Sequence, residues 1–156
     1  MSMKLGIDSK LYRNTGNYNT PTWTSIDAVR DFTQNVAYDT VEAPSRESRV
    51  KSMAKTLVDI SGSGSVKVSD TDAGYIALWD ALVSSTAELD ILVLNGDSTT
   101  NGARGFRYDA IVTQGNEDQA ITNALYMDFE VHPSAFATNA MKSAVVAAGA
   151  PVFTSI

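Results

Sequence analysis

Alternation of apolar and polar side chains, the mark of a strand with one buried face, runs through most of this chain. From Ile26 to Tyr38, Phe32, Val36 and Tyr38 fall at even positions, with Arg30 and Gln34 interrupting that face and Asp31, Thr33 and Asn35 opposite, which predicts a strand. In TLVDISGSGSVKVS, Val58, Ile60, Gly62, Gly64, Val66 and Val68 share one face. The two glycines inside this strand predict a bend or a close approach by another backbone. ELDILVLNGD and GFRYDAIVTQG read as antiparallel strands joined through the tip DSTTNGAR. TNALYMDFEVHPS alternates with Leu125, Met127, Phe129 and Val131 inward and stops at Pro133.

One stretch breaks the rhythm. DTDAGYIALWDALVSS has helical spacing and predicts a helix over about 71–84, with Asp70 or Thr71 as its cap and Asp72 in its first turn. Tyr75, Ile76, Leu78, Trp79, Leu82 and Val83 form the expected core face. Ala73, Ala77 and Ala81 line another flank, where a solvated helix would normally carry long charged residues. Two readings of that flank stand: a neighbouring subunit packs there, or the alanines simply favour the helix.

Three segments lack a pattern. Residues 1–22, with NTGNYNTPTW, read as an extended N-terminal arm. Residues 39–55 read as a protruding, solvated loop, because Pro44 and the mixed charges of Glu42, Arg46, Glu47, Arg49, Lys51 and Lys55 leave no stripe to bury. Residues 135–156, Ala-rich and nearly uncharged, read as an extension that packs on the domain or on a neighbour. The whole, 1–156, fits a single, mainly β domain.

Composition narrows the function classes. A formal charge of −6, from 18 acidic against 12 basic residues, argues against a surface that neutralises phosphates. The absence of cysteine excludes disulfides and thiolate metal sites. The first residues carry charge without an apolar run, and no segment is long enough to cross a bilayer as a helix, so a soluble chain without a classical export signal is expected.

Candidate chemistry is sparse. The single histidine, His132, sits on the outward face of a strand. DSTTNG imitates part of a calcium loop but has Tyr108 where the bidentate glutamate belongs. GSG lacks the Lys-Ser/Thr ending of a phosphate loop. Asp70 with Asp72, and Glu117 with Asp118, are accounted for by capping and by a polar bend. No set of residues supplies nucleophile, base and stabiliser together, so neither an enzyme nor a bound cofactor or metal is expected.

The order of features says more than any motif. KLYRNTGNYNTPTW near the start, DAGYIALWDAL in the middle and RGFRYDAIVTQGNEDQAIT before the last alternating strand resemble the major tail tube protein of long-tailed bacteriophages, over about Lys10 to Ser134. The resemblance implies an antiparallel β-sandwich or partly closed β-barrel flanked by one helix. It also implies a structural virion protein whose partner is itself, in hexameric rings stacked into a hollow conduit for genome delivery. Further partners would be other tail proteins such as the tape measure, tail terminator and baseplate. DNA would pass through without specific binding, and no membrane or cofactor would take part. Assembly would occur in the bacterial host cytoplasm and the product would reside in the virion tail. On this resemblance the 39–55 loop becomes an inter-ring contact. Tube proteins of contractile tails and type VI secretion systems share the architecture, so a ring or tube component of such a system, or a tail connector, is the alternative. A small carboxylate-dependent enzyme or ligand-binding β-sandwich is the third reading, and concentration-dependent assembly separates it from the others.

Overall fold

The structure, a computed structural model, describes residues 10–43, 51–119, 124–135 and 137–156. In chain order the elements are β1 (Lys10–Asn14), β2 (Trp23–Ser25), β3 (Val29–Ala43), β4 (Ser52–Lys67), α1 (Ala73–Val83), β5 (Leu89–Leu94), β6 (Arg104–Asp118), β7 (Tyr126–Pro133), β8 (Lys142–Ala147) and β9 (Ala150–Ser155). All strand pairs are antiparallel and all strands belong to one sheet, ordered β2-β1-β5-β6-β7-β4-β3 with β8 and β9 attached beside β6. The sheet curls into a half-barrel. The partly closed barrel, rather than the sandwich, therefore describes the fold.

β6 organises the sheet because it is long enough to serve three neighbours. Gly105–Ala110 pairs with β5 along one edge; along the other, Arg104–Arg107 pairs with β8 and Ala110–Asp118 with β7. Central strands feed two cores through their alternation. Leu11 and Ile91 enter the core beneath α1, with Ile60, Val66, Met127, Phe129 and Val131. Their chain neighbours Tyr12 and Leu92 enter a second core with Leu94, Ala103, Ala144 and Val146.

The alternation read in β4 and β7 holds: Ile60, Gly62 and Val66 are buried on one strand, and Met127, Phe129 and Val131 on the other. The glycines of β4 make room for a side chain as well as a backbone. A Cβ at Gly62 would stand 2.5 Å from the Phe32 ring, and one at Gly64 would stand 3.2 Å from the Phe32 Cα. Phe32 reaches this position beside a bulge in β3, where Asp31 takes a φ of 54°.

Three segment readings change. The N-terminal arm is structural from Lys10 onward, since β1 lies between β2 and β5 with Leu11 and Tyr12 buried. Residues 39–55 are not a loop where described: β3 runs to Ala43 and β4 begins at Ser52, paired with each other, and 44–50 lie outside the described residues. Extension 135–156 contains the β8–β9 hairpin, whose Ala148 and Gly149 both have positive φ, as a tight two-residue turn requires.

Candidate self-assembly surfaces

Beyond the half-barrel, β3 and β4 continue as a two-stranded arm. β7 supports β4 only from Gly62 to Lys67, while the β3–β4 ladder extends out to Ala43 opposite Ser52. Two strands alone are marginal in water unless a further strand or surface covers them. Nothing in the described chain does so: Val41, Met53 and Leu57 are all more than half exposed, Leu57 at 71%. The polar contacts along the arm are local. Lys51 pairs with Glu42 at 3.6 Å and Lys55 Nζ sits 4.4 Å from the centre of the Tyr38 ring. The expected contact residues Glu42, Lys51 and Lys55 are thus on the arm, while Arg46, Glu47 and Arg49 lie outside the described residues.

Helix α1 begins at a cap made by Asp72, whose Oδ1 accepts the Tyr75 N–H at 2.8 Å. Asp72 is the cap itself, not a first-turn residue. The core face is narrower than the apolar stripe suggested. Tyr75, Leu78 and Ala81 are buried and Leu82 packs against the core, whereas Ile76, Trp79 and Val83 point outward at 39%, 40% and 64% exposure. Ala81, expected on the small-residue flank with Ala73 and Ala77, is instead buried against the sheet; Ala73 is exposed and Ala77 half-buried. Gly115 of β6 makes room for one of the larger helix residues: a Cβ there would stand 2.5 Å from Leu82 Cδ2.

The half-barrel is open between the first part of β3 and the edges of β1, β5 and β6. The opening is a groove of about 1000 Å³, with Leu11, Ile26, Phe32, Val36, Val93 and Phe106 among its walls. Close by, Gln34 Nε2 and Tyr108 Oη are buried next to each other. Burial pushes the Tyr108 phenol up to about 12. Among the described residues β3 and β9 each pair with a single strand, and a sheet edge without a partner is a template for another chain.

One residue along β6 from the groove wall, on the other face of the sheet, the molecule is closed tightly. Arg107, 3% exposed, holds Asp90 through Nε at 3.0 Å and Nη2 at 2.6 Å. Its Nη2 also donates to the Tyr18 carbonyl at 2.9 Å, and its guanidinium lies 3.8 Å from the Tyr18 ring centre, with Trp23 and Phe153 within 5 Å. Asn14 Nδ2 donates to the same Asp90 at 2.9 Å. This bidentate, ring-flanked cation fastens residues from the two ends of the chain to β6. Sequence reading missed it, because its partners are up to 89 positions apart.

Little here suggests reaction chemistry. His132 Nε2 contacts Glu130 Oε1 at 2.8 Å. Asp97 binds the Thr99 N–H and hydroxyl, which holds its carboxyl below the usual range, in a tight turn. Burial raises the pKa of Asp109, and Asn139 donates to it at 3.2 Å. Among the described residues no group of three or more His, Cys, Asp or Glu is placed to hold a metal ion, and no helix is long and apolar enough to cross a membrane.

No family model matches the chain, and no curated protein does. Solved structures do. The tail of an empty gene transfer agent particle, refined with C6 symmetry, matches at a TM-score of 0.65 and 14% identity over 98% of this chain and 100% of that one. The SPP1 tail tube matches at 0.66 and 12% identity over 99% of this chain and 80% of that one. The anti-feeding prophage baseplate matches at 0.52 and 10% identity over 88% and 91%. At these identities the likeness is one of fold, and the fold is that of tail tube and baseplate subunits.

Proposed function

We propose that this chain is a structural subunit of a phage-type tail tube, which associates with further copies of itself into rings that stack as a hollow conduit. The observation that carries the reading is the arm, two strands with apolar residues exposed and, among the described residues, no third strand to complete them. A chain folded this way gains stability from a second copy, since each Leu-sized side chain covered contributes about 1.5–3 kcal/mol. The fold shared with the SPP1 tail tube and the gene transfer agent tail supports the same reading. The C6 symmetry of the latter supports rings of six. The excess of acidic residues suits a wall past which DNA slides without sticking. Other tail components are the further partners, the virion tail is the location, and the function involves no turnover.

The likeness to a baseplate subunit favours a second reading, in which the chain forms one discrete ring of an injection machine. Electron microscopy of the purified protein with light scattering over a concentration series tests both. Long tubes of uniform diameter are the expected result, single rings would favour the second reading, and a monomer at every concentration would reject both.

A further inference from the structure

The tip between β5 and β6 holds both Asn–Gly pairs of the sequence, Asn95–Gly96 and Asn101–Gly102. Asparagine is chemically labile, most of all before glycine, whose backbone nitrogen has no side chain beside it to obstruct attack on the preceding amide. The two pairs are held differently. Asn95 Oδ1 accepts the Arg104 N–H at 2.8 Å, the Asn95 N–H donates to the Arg104 carbonyl at 3.0 Å, and Gly96 is buried, so this pair is secured within the β5–β6 hairpin itself. Asn101 and Gly102 are exposed, and their partners belong to the β8–β9 hairpin. The Gly102 N–H donates to the Val146 carbonyl at 2.9 Å, and Asn101 Oδ1 accepts the Gly149 N–H at 2.9 Å.

We infer that Asn101 is a latent deamidation site, kept closed by the docked β8–β9 hairpin and opened when that hairpin lifts from β6. The reaction consumes only water. Gly102 N loses its proton and bonds to Asn101 Cγ; the Cγ–Nδ2 bond breaks and ammonia leaves with a proton, which gives a cyclic imide. Water then opens the imide at either carbonyl, to aspartate or to isoaspartate. In the docked state the Gly102 hydrogen is committed to Val146 and the side-chain amide to Gly149, so attack requires breaking the tip's bonds to the hairpin. The hairpin's hold on the body is short: Arg104–Arg107 opposite Lys142–Val145, with Ala144 and Val146 in the second core and the Phe153 ring 6.0 Å from that of Trp23. A peripheral unit of this kind opens at lower cost than the whole chain. Isoaspartate runs the backbone through an extra carbon and adds a negative charge, so the Gly102–Val146 bond does not re-form in register. The product is a covalent record that the hairpin has been open, whether or not copies of the chain assemble.

Peptide mapping by mass spectrometry, after incubation of the purified protein at mildly alkaline pH, reads the replacement of amide by carboxyl at each asparagine. In the unmodified protein Asn101 should react at least about tenfold more slowly than in the same chain held in denaturant. Val146→Pro removes the N–H that donates to the Ala103 carbonyl at 2.8 Å and displaces β8 from β6. It should raise the rate at Asn101 about tenfold, while Asn95, locked by Arg104, stays slow. Asn95 is the internal report of global unfolding. If Val146→Pro unfolds the chain, seen as an equal rise at Asn95, the milder Phe153→Ala decides: a rise at Asn101 alone supports the inference, and a rise at both sites or at neither overturns it. An Asn101 that reacts in the unmodified protein as fast as in denaturant, or that stays slow in a folded Val146→Pro, overturns it as well.

Discussion

The Arg107 end of the molecule and the β3–β4 arm are built from the same kinds of residue and reach opposite outcomes. Around Arg107 a charge is buried, yet it has a bidentate carboxylate, a carbonyl and three aromatic rings to replace the water it lost. Along the arm, charges are exposed and locally paired, and it is the apolar side chains that lack partners. One region is satisfied within a single copy, and the other leaves apolar side chains uncovered among the described residues. Self-sufficiency and readiness to assemble are thus separated in space, and each can be altered without the other.

The sharpest break of this contrast is Arg107→Ala. It leaves the partly buried Asp90 without its cation, held only by Asn14, and should lower the stability of the isolated subunit by about 3–5 kcal/mol, as measured by chemical denaturation. On α1, Leu78→Ala should cost about 2–5 kcal/mol, because a fully buried side chain leaves a cavity. One position along, Trp79→Ala should cost only about 1 kcal/mol, mainly through its contact with Tyr75, while strongly reducing assembly measured by light scattering. Equal destabilisation by these two substitutions would erase the distinction between the faces of the helix. Leu57→Asp should change subunit stability by about 0.5 kcal/mol or less and still prevent tubes from forming in electron micrographs.

The smallest effect is expected at Asp109. Its carboxyl holds a proton to higher pH in the folded chain than in the unfolded one. The folded state therefore binds more protons, and this group's contribution to stability declines as pH rises from about 3.9, the ordinary value, through its raised pKa. Asp109→Asn should flatten that decline in denaturation curves taken between mildly acidic and neutral pH.

How much of this was legible follows from which forces left a local trace. β4 and β7 were readable because one face of each is buried, and burial writes itself as alternation at Ile60, Val66, Met127 and Phe129. The distal arm bears no such trace: with no single core to face, Val41 and Met53 sit among charges and read as loop. Extension 135–156 hid a hairpin because Ala144 and Val146 are small, and its best signal was the Ala148–Gly149 turn. On α1 the error lay in equating size with burial, since Ala81 is buried while the larger Ile76, Trp79 and Val83 are exposed. Arg107 and its partners come together only through tertiary folding, and no spacing in the sequence could reveal them.

The separation of arm and body also orders events in time. The arm's strands are near in sequence, with Ala43 opposite Ser52, so its ladder closes a short loop. The body instead waits for long-range closures: Arg107 must find Tyr18 across 89 positions, and Ser98 must find the Tyr12 hydroxyl across 86. Such topology folds slowly. During synthesis the arm can form before β5 to β9 have emerged, and it carries exposed apolar side chains while the rest of the chain is still unfinished. Copies that collided through their arms before their bodies closed would be lost to aggregation, so the yield of folded chain depends on how fast the body closes relative to how fast neighbours collide.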